Sequence, residues 1–135
     1  ISFDGSIAGG NPGGTVAIGW MIEGTGICKS EEVFRGGVSA TNNVAEYIAL
    51  IRAMTAALQL NPRPKSIIFQ GDSELVINQM TWIYEVKSPT LMPLNGIAQL
   101  LADDLNHAGI AYDFKWVPRE ENEVADRLSR VKHGP

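Results

Sequence analysis

The first part of the chain carries apolar residues at the two-residue period of β-strands. Residues 1–4 alternate and are interpreted as the end of a strand, and the glycine-containing stretch 6–14 is interpreted as a turn. The period returns over residues 15–23 and again over residues 27–34. These runs predict an antiparallel meander of three strands.

At Ala40 the apolar spacing changes to three and four residues, which predicts a helix of about four turns capped by Thr41 or Asn42. The continuous apolar run over residues 66–69 is typical of a buried parallel strand, and Gly71 ends it. A short helix is then expected over residues 73–79.

Residues 80–93 show no clear period and predict a loop with an extended piece at residues 84–86. Beyond it, the pattern predicts a helix from Pro93 to Gly109, a strand over residues 110–116 and a helix over residues 120–131. Strands followed by alternating strand and helix imply an α/β fold, in which helices cover the parallel half of a mixed sheet. We expect one domain spanning residues 1–135.

Cysteine and histidine are too few to build a soft-metal site. A single cysteine, Cys28, excludes an intrachain disulfide and a cysteine-based zinc cluster, and only His107 and His133 could add imidazole ligands. Any metal site must therefore consist of oxygen ligands. No apolar run reaches the roughly 18 residues of a membrane span and no leader pattern opens the chain, so we expect a cytoplasmic location and no membrane partner. We also expect a monomer with no obligatory protein partner.

The charge balance, with 15 acidic and 11 basic residues, does not by itself favour a nucleic-acid partner. Four of the acidic residues, however, fall at predicted element boundaries or on helices near them: Asp4, Glu46, Asp72 and Asp126. Because parallel strand ends open toward one crevice, these carboxylates are candidates for a shared site. Such a cluster would need a cation, and oxygen-only ligation favours Mg²⁺ or Mn²⁺. If four acids are used in this way, the remaining charges are balanced.

Each acid also has a simpler structural interpretation. Asp72 precedes Ser73 and is placed to cap the short helix, and Glu46, expected in the first turn of the long helix, is placed to interact with the helix amino end. Periodicity alone leaves both interpretations open.

The residues around the acids favour the catalytic interpretation. Five strings occur in the order seen in the type 1 ribonuclease H family, which this chain resembles over nearly its whole length. They are Phe3-Asp4-Gly5-Ser6, Gly10-Asn11-Pro12-Gly13-Gly14, Thr41-Asn42-Asn43-Val44-Ala45-Glu46-Tyr47, Gly71-Asp72-Ser73-Glu74-Leu75-Val76 and the stretch from Val117 to Asp126.

The resemblance implies a ribonuclease H-like fold with a five-stranded sheet in the order 3-2-1-4-5. It implies that Asp4, Glu46, Asp72 and Asp126 hold two Mg²⁺ ions, with Mn²⁺ as an alternative. The implied activity is endonucleolytic hydrolysis of the RNA strand of an RNA·DNA hybrid by two-metal in-line displacement, giving 5′-phosphate and 3′-hydroxyl ends.

The resemblance also implies a set of substrate-binding residues. Amides of the family at the positions of Asn11, Asn42 and Asn43 contact the hybrid in its minor groove, although a turn or a helix cap also accounts for the first two. The backbone is expected to approach the ligand at Gly5 and Gly10, where a turn alone is the alternative. Thr41 and Lys87 are weaker candidates for phosphate contacts.

The chain departs from the better-studied bacterial pattern in two places. Residues 79–93 leave no room for the extra basic helix that grips the DNA strand, so the chain resembles the short form of the family. Many members carry a histidine before the last acid, and here Arg119 occupies that segment. Arg119 is a candidate for catalytic assistance by charge alone, since a guanidinium cannot accept a proton at neutral pH; a solvated loop residue is the alternative.

The aromatic residues receive mostly structural interpretations. Trp20, Phe114 and Trp116 alternate on predicted strands and are predicted to be core residues, whereas Trp82 either stacks on nucleic acid or packs against the next helix. The competing functions are a binding module without catalysis, another nuclease on the same fold, and a domain from a reverse transcriptase polyprotein. The complete acid set disfavours the first, and Asn42-Asn43 with the Gly-Asn-Pro-Gly turn disfavour the second.

Overall fold

The computed structural model describes residues 1–130. Its five strands are β1 (Ser2–Ala8), β2 (Thr15–Ile22), β3 (Ile27–Arg35), β4 (Ser66–Gly71) and β5 (Ala111–Trp116). The helices are α1 (Asn42–Leu58), α2 (Glu74–Met80), α3 (Leu91–His107) and α4 (Glu123–Ser129), with a short 3₁₀ turn at Arg119–Glu121 before the last helix.

The sheet has the order β3-β2-β1-β4-β5, as expected. The first three strands form the antiparallel meander, and β4 pairs in parallel with both β1 and β5. The predicted α/β class and mixed sheet are therefore confirmed.

Two glycines bring helices close to opposite faces of the sheet. A Cβ on Gly5 would lie 2.1 Å from the carbonyl carbon of Ala45 in α1, and a Cβ on Gly19 would lie 2.4 Å from the Cβ of Leu128 in α4. Gly5 is paired with Ile18, the neighbour of Gly19, and successive strand residues face opposite sides. Helices α1 and α4 therefore sandwich β1 and β2.

The main core lies between the sheet and α1, with α3 packed on α1. Its largest fully buried apolar side chains come from three strands, two helices and the segment before β5: Phe3, Ile18, Tyr47, Leu50, Met54, Phe69, Leu105 and Ile110. These positions follow the strand and helix periods in the sequence. Within residues 1–130, no helix is long and apolar enough to span a membrane.

Several predicted boundaries need correction. Strand β1 continues to Ala8, so the turn expected from Ser6 is shorter: Ser6 to Ala8 pair with β2 in unbroken register. Residues 84–86 lie in an irregular segment, in agreement with the predicted loop. The last helix begins at Glu123 because Asn122 leaves the helical path and its buried side-chain amide donates a hydrogen bond to the Phe3 carbonyl, 3.0 Å away. The predicted end of this helix at Val131 lies outside the described residues.

The aromatic predictions were only partly right. Trp20 and Phe114 are half-buried and pack against the core. Trp116 is 47% exposed, so its prediction as a core residue was wrong. Trp82 is 77% exposed and has a positive φ of 65°, so it does not pack tightly against the next helix.

Candidate active site

The parallel register of β1 and β4 places two of the acids side by side. Ser2 is opposite Gln70, so Asp4 and Asp72 are each two residues further along and point to the same face. The sequence predicted that the first strand ends at Asp4. In the structure β1 continues beyond Asp4 to Ala8. Strand β4, in contrast, ends at Gly71, which leaves Asp72 at its carboxyl end.

Glu46 comes to the same place from helix α1. Because Gly5 has no side chain, α1 packs directly on β1, and the Gly5 N–H donates a hydrogen bond of 2.5 Å to Glu46 Oε1. The space on the Cβ side of Gly5 is therefore filled by helix backbone. Gly5 also lines the cleft, and the approach of its backbone to the ligand stays a prediction. The second oxygen, Glu46 Oε2, is buried without a hydrogen-bond partner.

Asp4, Glu46 and Asp72 each offer a carboxylate oxygen, and these oxygens all lie within 4.8 Å of one another. Asp4 and Glu46 are 4% and 6% exposed. Burial is the largest cause that raises the pKa of Asp4 to about 7, with a contribution from the charge of Asp72. Burial and then the charge of Asp4 raise the pKa of Glu46 well above its ordinary value.

These observations fit an oxygen-coordinated cation. Buried carboxylates are normally paired or bound to metal, and the unpartnered Glu46 Oε2 belongs to the same cluster. The site contains only carboxylates among its candidate ligands, which matches the preference of Mg²⁺ and Mn²⁺ for oxygen. A cation would favour the charged forms and lower both raised pKa values.

Asp126 is not one of the three acids whose oxygens converge, although its side chain contributes to the raised pKa of Asp4 through a hydrogen bond. It lines the same cleft, whose volume is about 670 Å³, but its carboxylate is bound by two arginines. Arg119 Nη2 is 3.4 Å from Asp126 Oδ1, and Arg130 Nε is 3.3 Å from the same oxygen. The sequence placed Arg119 near the acids but did not foresee that it pairs with one of them.

The simpler interpretations of two acids do not fit the structure. The cap of α2 is Ser73, whose hydroxyl accepts a hydrogen bond from the Val76 N–H, so Asp72 is not needed as a cap. Glu46 is the fifth residue of α1 and not in its first turn, and its carboxylate is directed to β1. Both side chains are therefore positioned for the cleft.

Three contacts near the acids were not predicted from the sequence. The indole N–H of Trp116 donates to the Asp72 carbonyl at 3.2 Å, and the Ser129 hydroxyl lies 2.9 Å from Asp4 Oδ2. Arg130 follows Asp126 by four residues, a spacing that places side chains on one helix face and could have revealed the pair. No sequence spacing predicts the contact between Ser129 and Asp4, which are 125 residues apart.

The expected substrate-binding amides are grouped at the start of α1 and in the glycine-rich turn beside it. Asn42 and Asn43 line the cleft directly. The Asn11 side-chain oxygen is 3.4 Å from the Asn42 backbone N–H, so the glycine-rich turn is held against the start of α1. Gly10 has a φ of 146°, which the turn itself requires.

The remaining candidates lie in a neighbouring cavity of about 420 Å³, lined by Thr41, Asn43 and Lys87 among others. Thr41 is also the N-cap of α1, since its hydroxyl accepts from the Val44 N–H at 3.3 Å. This settles the choice left open between Thr41 and Asn42. Asn43 lines both cavities and connects them.

Comparison with known proteins agrees with this arrangement. A family model described as "Reverse transcriptase-like" matches residues 2–131. Ribonuclease H of Ruegeria pomeroyi is 32% identical over 98% of this chain and 90% of its own length. A structure of LC11-RNase H1 in complex with an RNA/DNA hybrid is 29% identical, covers 94% of this chain and 90% of its own, and has a TM-score of 0.78.

The fold, the order of the five strings and these relatives define a ribonuclease H-like protein. The chain belongs to the type 1 ribonuclease H family, a family of enzymes, as its sequence strings suggested. It also resembles a bifunctional protein of Mycobacterium tuberculosis, with 36% identity over 89% of this chain. The chain spans about a third (31%) of the length of that relative.

Proposed function

We propose that the protein is an endonuclease that hydrolyses the RNA strand of RNA·DNA hybrids by a two-metal-ion mechanism. The observation that carries the proposal is the group Asp4, Glu46 and Asp72, whose carboxylate oxygens converge within 4.8 Å in an open cleft. Family membership and the hybrid bound to LC11-RNase H1 support the choice of substrate. The expected products carry 5′-phosphate and 3′-hydroxyl ends.

Asp4, Glu46 and Asp72 would hold Mg²⁺ or Mn²⁺, with Asp126 as the fourth ligand residue. When bound, two such ions supply Lewis-acid stabilisation of the attacking and leaving oxygens in an in-line displacement at phosphorus. The protein's own contribution is to fix the ligands before substrate arrives. The Gly5 N–H orients Glu46, and the Trp116 indole anchors the backbone at Asp72.

The amides of Asn11, Asn42 and Asn43 are proposed to select the substrate. Asn42 and Asn43 are exposed, and Asn11 is held beside them, so their side chains can reach the minor groove of a bound duplex. A 2′-hydroxyl there distinguishes RNA from DNA. Thr41 and Lys87 are proposed to contact phosphate in the neighbouring cavity, and Gly10 to shape the turn that carries Asn11.

Arg119 is proposed to assist catalysis as a fixed cation that attracts phosphate. It lies 3.4 Å from Asp126 and lines the cleft, which supports a role close to the reacting groups. It cannot take the part of a proton-accepting histidine.

The test is a cleavage assay on end-labelled RNA·DNA hybrid, duplex DNA, duplex RNA and single strands. We expect cleavage of the RNA strand of the hybrid with Mg²⁺, and none with a chelator. Phosphatase sensitivity of the downstream fragment's 5′ end then tests the product chemistry. Cleavage of duplex DNA at the hybrid rate, or cleavage that persists with chelator, would refute the proposal.

A further inference from the structure

The carboxylate of Asp126 lies between two guanidinium groups. Arg119 Nη2 and Arg130 Nε contact the same oxygen, Oδ1, at 3.4 and 3.3 Å, and Arg130 Nε is also 3.4 Å from Oδ2. Charge-assisted bonds of this kind are usually about 2.7–2.9 Å long. The two arginine side chains are 64% and 54% exposed, while Asp126 is 22% exposed. The contacts are therefore long, solvated and easily exchanged.

The charges of this group are unequal. Two guanidinium groups contribute two positive charges and Asp126 one negative charge, which leaves these three side chains with one positive charge in excess. On the same cleft, Asp4, Glu46, Asp72 and Glu120 provide carboxylates. The cleft thus presents a cation-binding group next to an arginine pair, and a metal-bound phosphate diester would complement both.

From this geometry we infer that Arg130 is a substrate-phosphate ligand that Asp126 holds in place until metal and substrate bind; this rests on the proposed function. A divalent cation and two arginines cannot all be neutralised by one carboxylate. If Asp126 held a metal ion, Arg130 would lose its counter-ion, and a substrate phosphate would replace it. Metal binding and hybrid binding are therefore coupled. Each requires the ion pair between Asp126 and Arg130 to break, so the ligand that binds first leaves the second with no ion pair to break.

Arg127 provides a matched control on the same helix. It is exposed, one residue from Asp126, and it does not line the cleft. Adjacent helical residues do not face each other, whereas residues four apart do. An Arg127→Ala variant therefore removes an equal charge at nearly the same sequence position without removing the contact to Asp126.

Hybrid affinity tests the phosphate contact directly. In an Asp72→Asn background, which is expected to suppress cleavage, Kd for the hybrid with Mg²⁺ is measured over a range of salt concentrations. Loss of one phosphate contact should weaken binding roughly 5- to 20-fold for Arg130→Ala and lower the slope of log Kd against log salt by about one. Arg127→Ala should change the affinity far less. Arg130→Lys should recover part of the loss if a single positive charge suffices.

Metal binding without nucleic acid separates this role from a merely structural one. Arg130 competes with Mg²⁺ for the carboxylate of Asp126. An Arg130→Ala variant with no other change should therefore need less Mg²⁺ to reach half of the maximal increase in Tm. A structural role for Arg130 predicts the opposite, since a displaced Asp126 would bind metal more weakly.

Equal hybrid affinities and salt slopes for Arg130→Ala and Arg127→Ala would overturn the inference while leaving the proposed function intact. An increased Mg²⁺ requirement in Arg130→Ala would also overturn it. If the Asp72→Asn parent does not prefer hybrid to duplex DNA and the unaltered protein does not cleave hybrid, both the proposed function and the inference are wrong.

Discussion

At the level of single residues, the site depends on acids that are costly to bury. Asp4 and Glu46 are almost fully buried, and hydrogen bonds from Gly5 and Ser129 offset only part of that cost. The sequence strings identified these acids because the surrounding residues resemble a known family. The strings could not show that Arg119 pairs with Asp126, since that contact depends on the path of the chain between the two residues, whereas the four-residue spacing of Asp126 and Arg130 is a signal for the second pair.

The raised pKa of Asp4 predicts how the stability of the metal-free protein depends on pH. Its pKa rises on folding from 3.8 to about 7, so the protonated form is favoured in the folded state. The stabilisation is fully present below the unfolded value and is lost as pH rises through about 7. With chelator present, we therefore expect the free energy of unfolding to fall between about pH 5 and 7.5, as measured by urea denaturation.

Asp4→Asn should make this pH dependence shallower and leave the metal-free protein no less stable at about pH 7.5, because a buried charge is removed. Asp113→Asn, at an exposed position on β5, is the control and should keep the dependence of the unaltered protein. A stability that rises over this pH range in the metal-free protein would contradict the assignment.

At the level of secondary-structure elements, the pattern of apolar and turn-forming residues predicted every strand and α-helix in residues 1–130 but not all of their ends. Strand β1 extends into a stretch where small residues mask the two-residue period, and ladder pairing with β2 decides its length. Helix α4 begins late because of the buried Asn122, whose bond to Phe3 depends on a residue distant in sequence. The local spacing of apolar residues cannot predict tertiary contacts of this kind.

Gly19 is the position where the packing of α4 can be tested. Its conformation does not require glycine, but a Cβ there would lie 2.4 Å from the Leu128 Cβ and 2.5 Å from the Ser129 nitrogen. Gly19→Ala should therefore lower the free energy of unfolding by about 1–3 kcal/mol and displace the helix that carries Asp126. Urea unfolding measures the first effect, and the Mg²⁺ concentration needed for half-maximal cleavage the second.

Gly96 is the matched control, since it lies inside α3 and a Cβ there would meet no other part of the protein within 4 Å. Gly96→Ala should raise the free energy of unfolding by roughly 0.5–1 kcal/mol, because alanine favours the helix. If Gly19→Ala proved as stable as Gly96→Ala, the close approach of α4 to β2 would be wrong.

At the level of the whole molecule, charge determines how a polyanion is held. The chain carries 15 acidic and 11 basic residues, and setting aside the four candidate metal ligands leaves 11 of each sign. The short irregular segment between α2 and α3 leaves no room for an extra basic helix. Within residues 1–130, the protein therefore has few basic surfaces outside the cleft that could bind nucleic acid.

Weak, salt-dependent substrate binding is the expected consequence. If several phosphate contacts provide most of the affinity, KM for the hybrid should rise roughly 10-fold or more between about 50 and 200 mM salt, while kcat changes less. Steady-state kinetics over this range provide the measurement. A KM that is low and insensitive to salt would point to a gripping surface elsewhere, with the exposed Trp82 as the first residue to test.

The most direct test of the central claim is the rate of hybrid cleavage by an Asp72→Asn variant with Mg²⁺, compared with Asp113→Asn as a control for loss of one acidic charge. If the acidic cleft holds the catalytic metal ions, Asp72→Asn should reduce the rate by roughly 10³-fold or more while its fold, followed by circular dichroism, persists. Asp113→Asn should cleave at nearly the normal rate. Near-normal cleavage by Asp72→Asn would contradict the account.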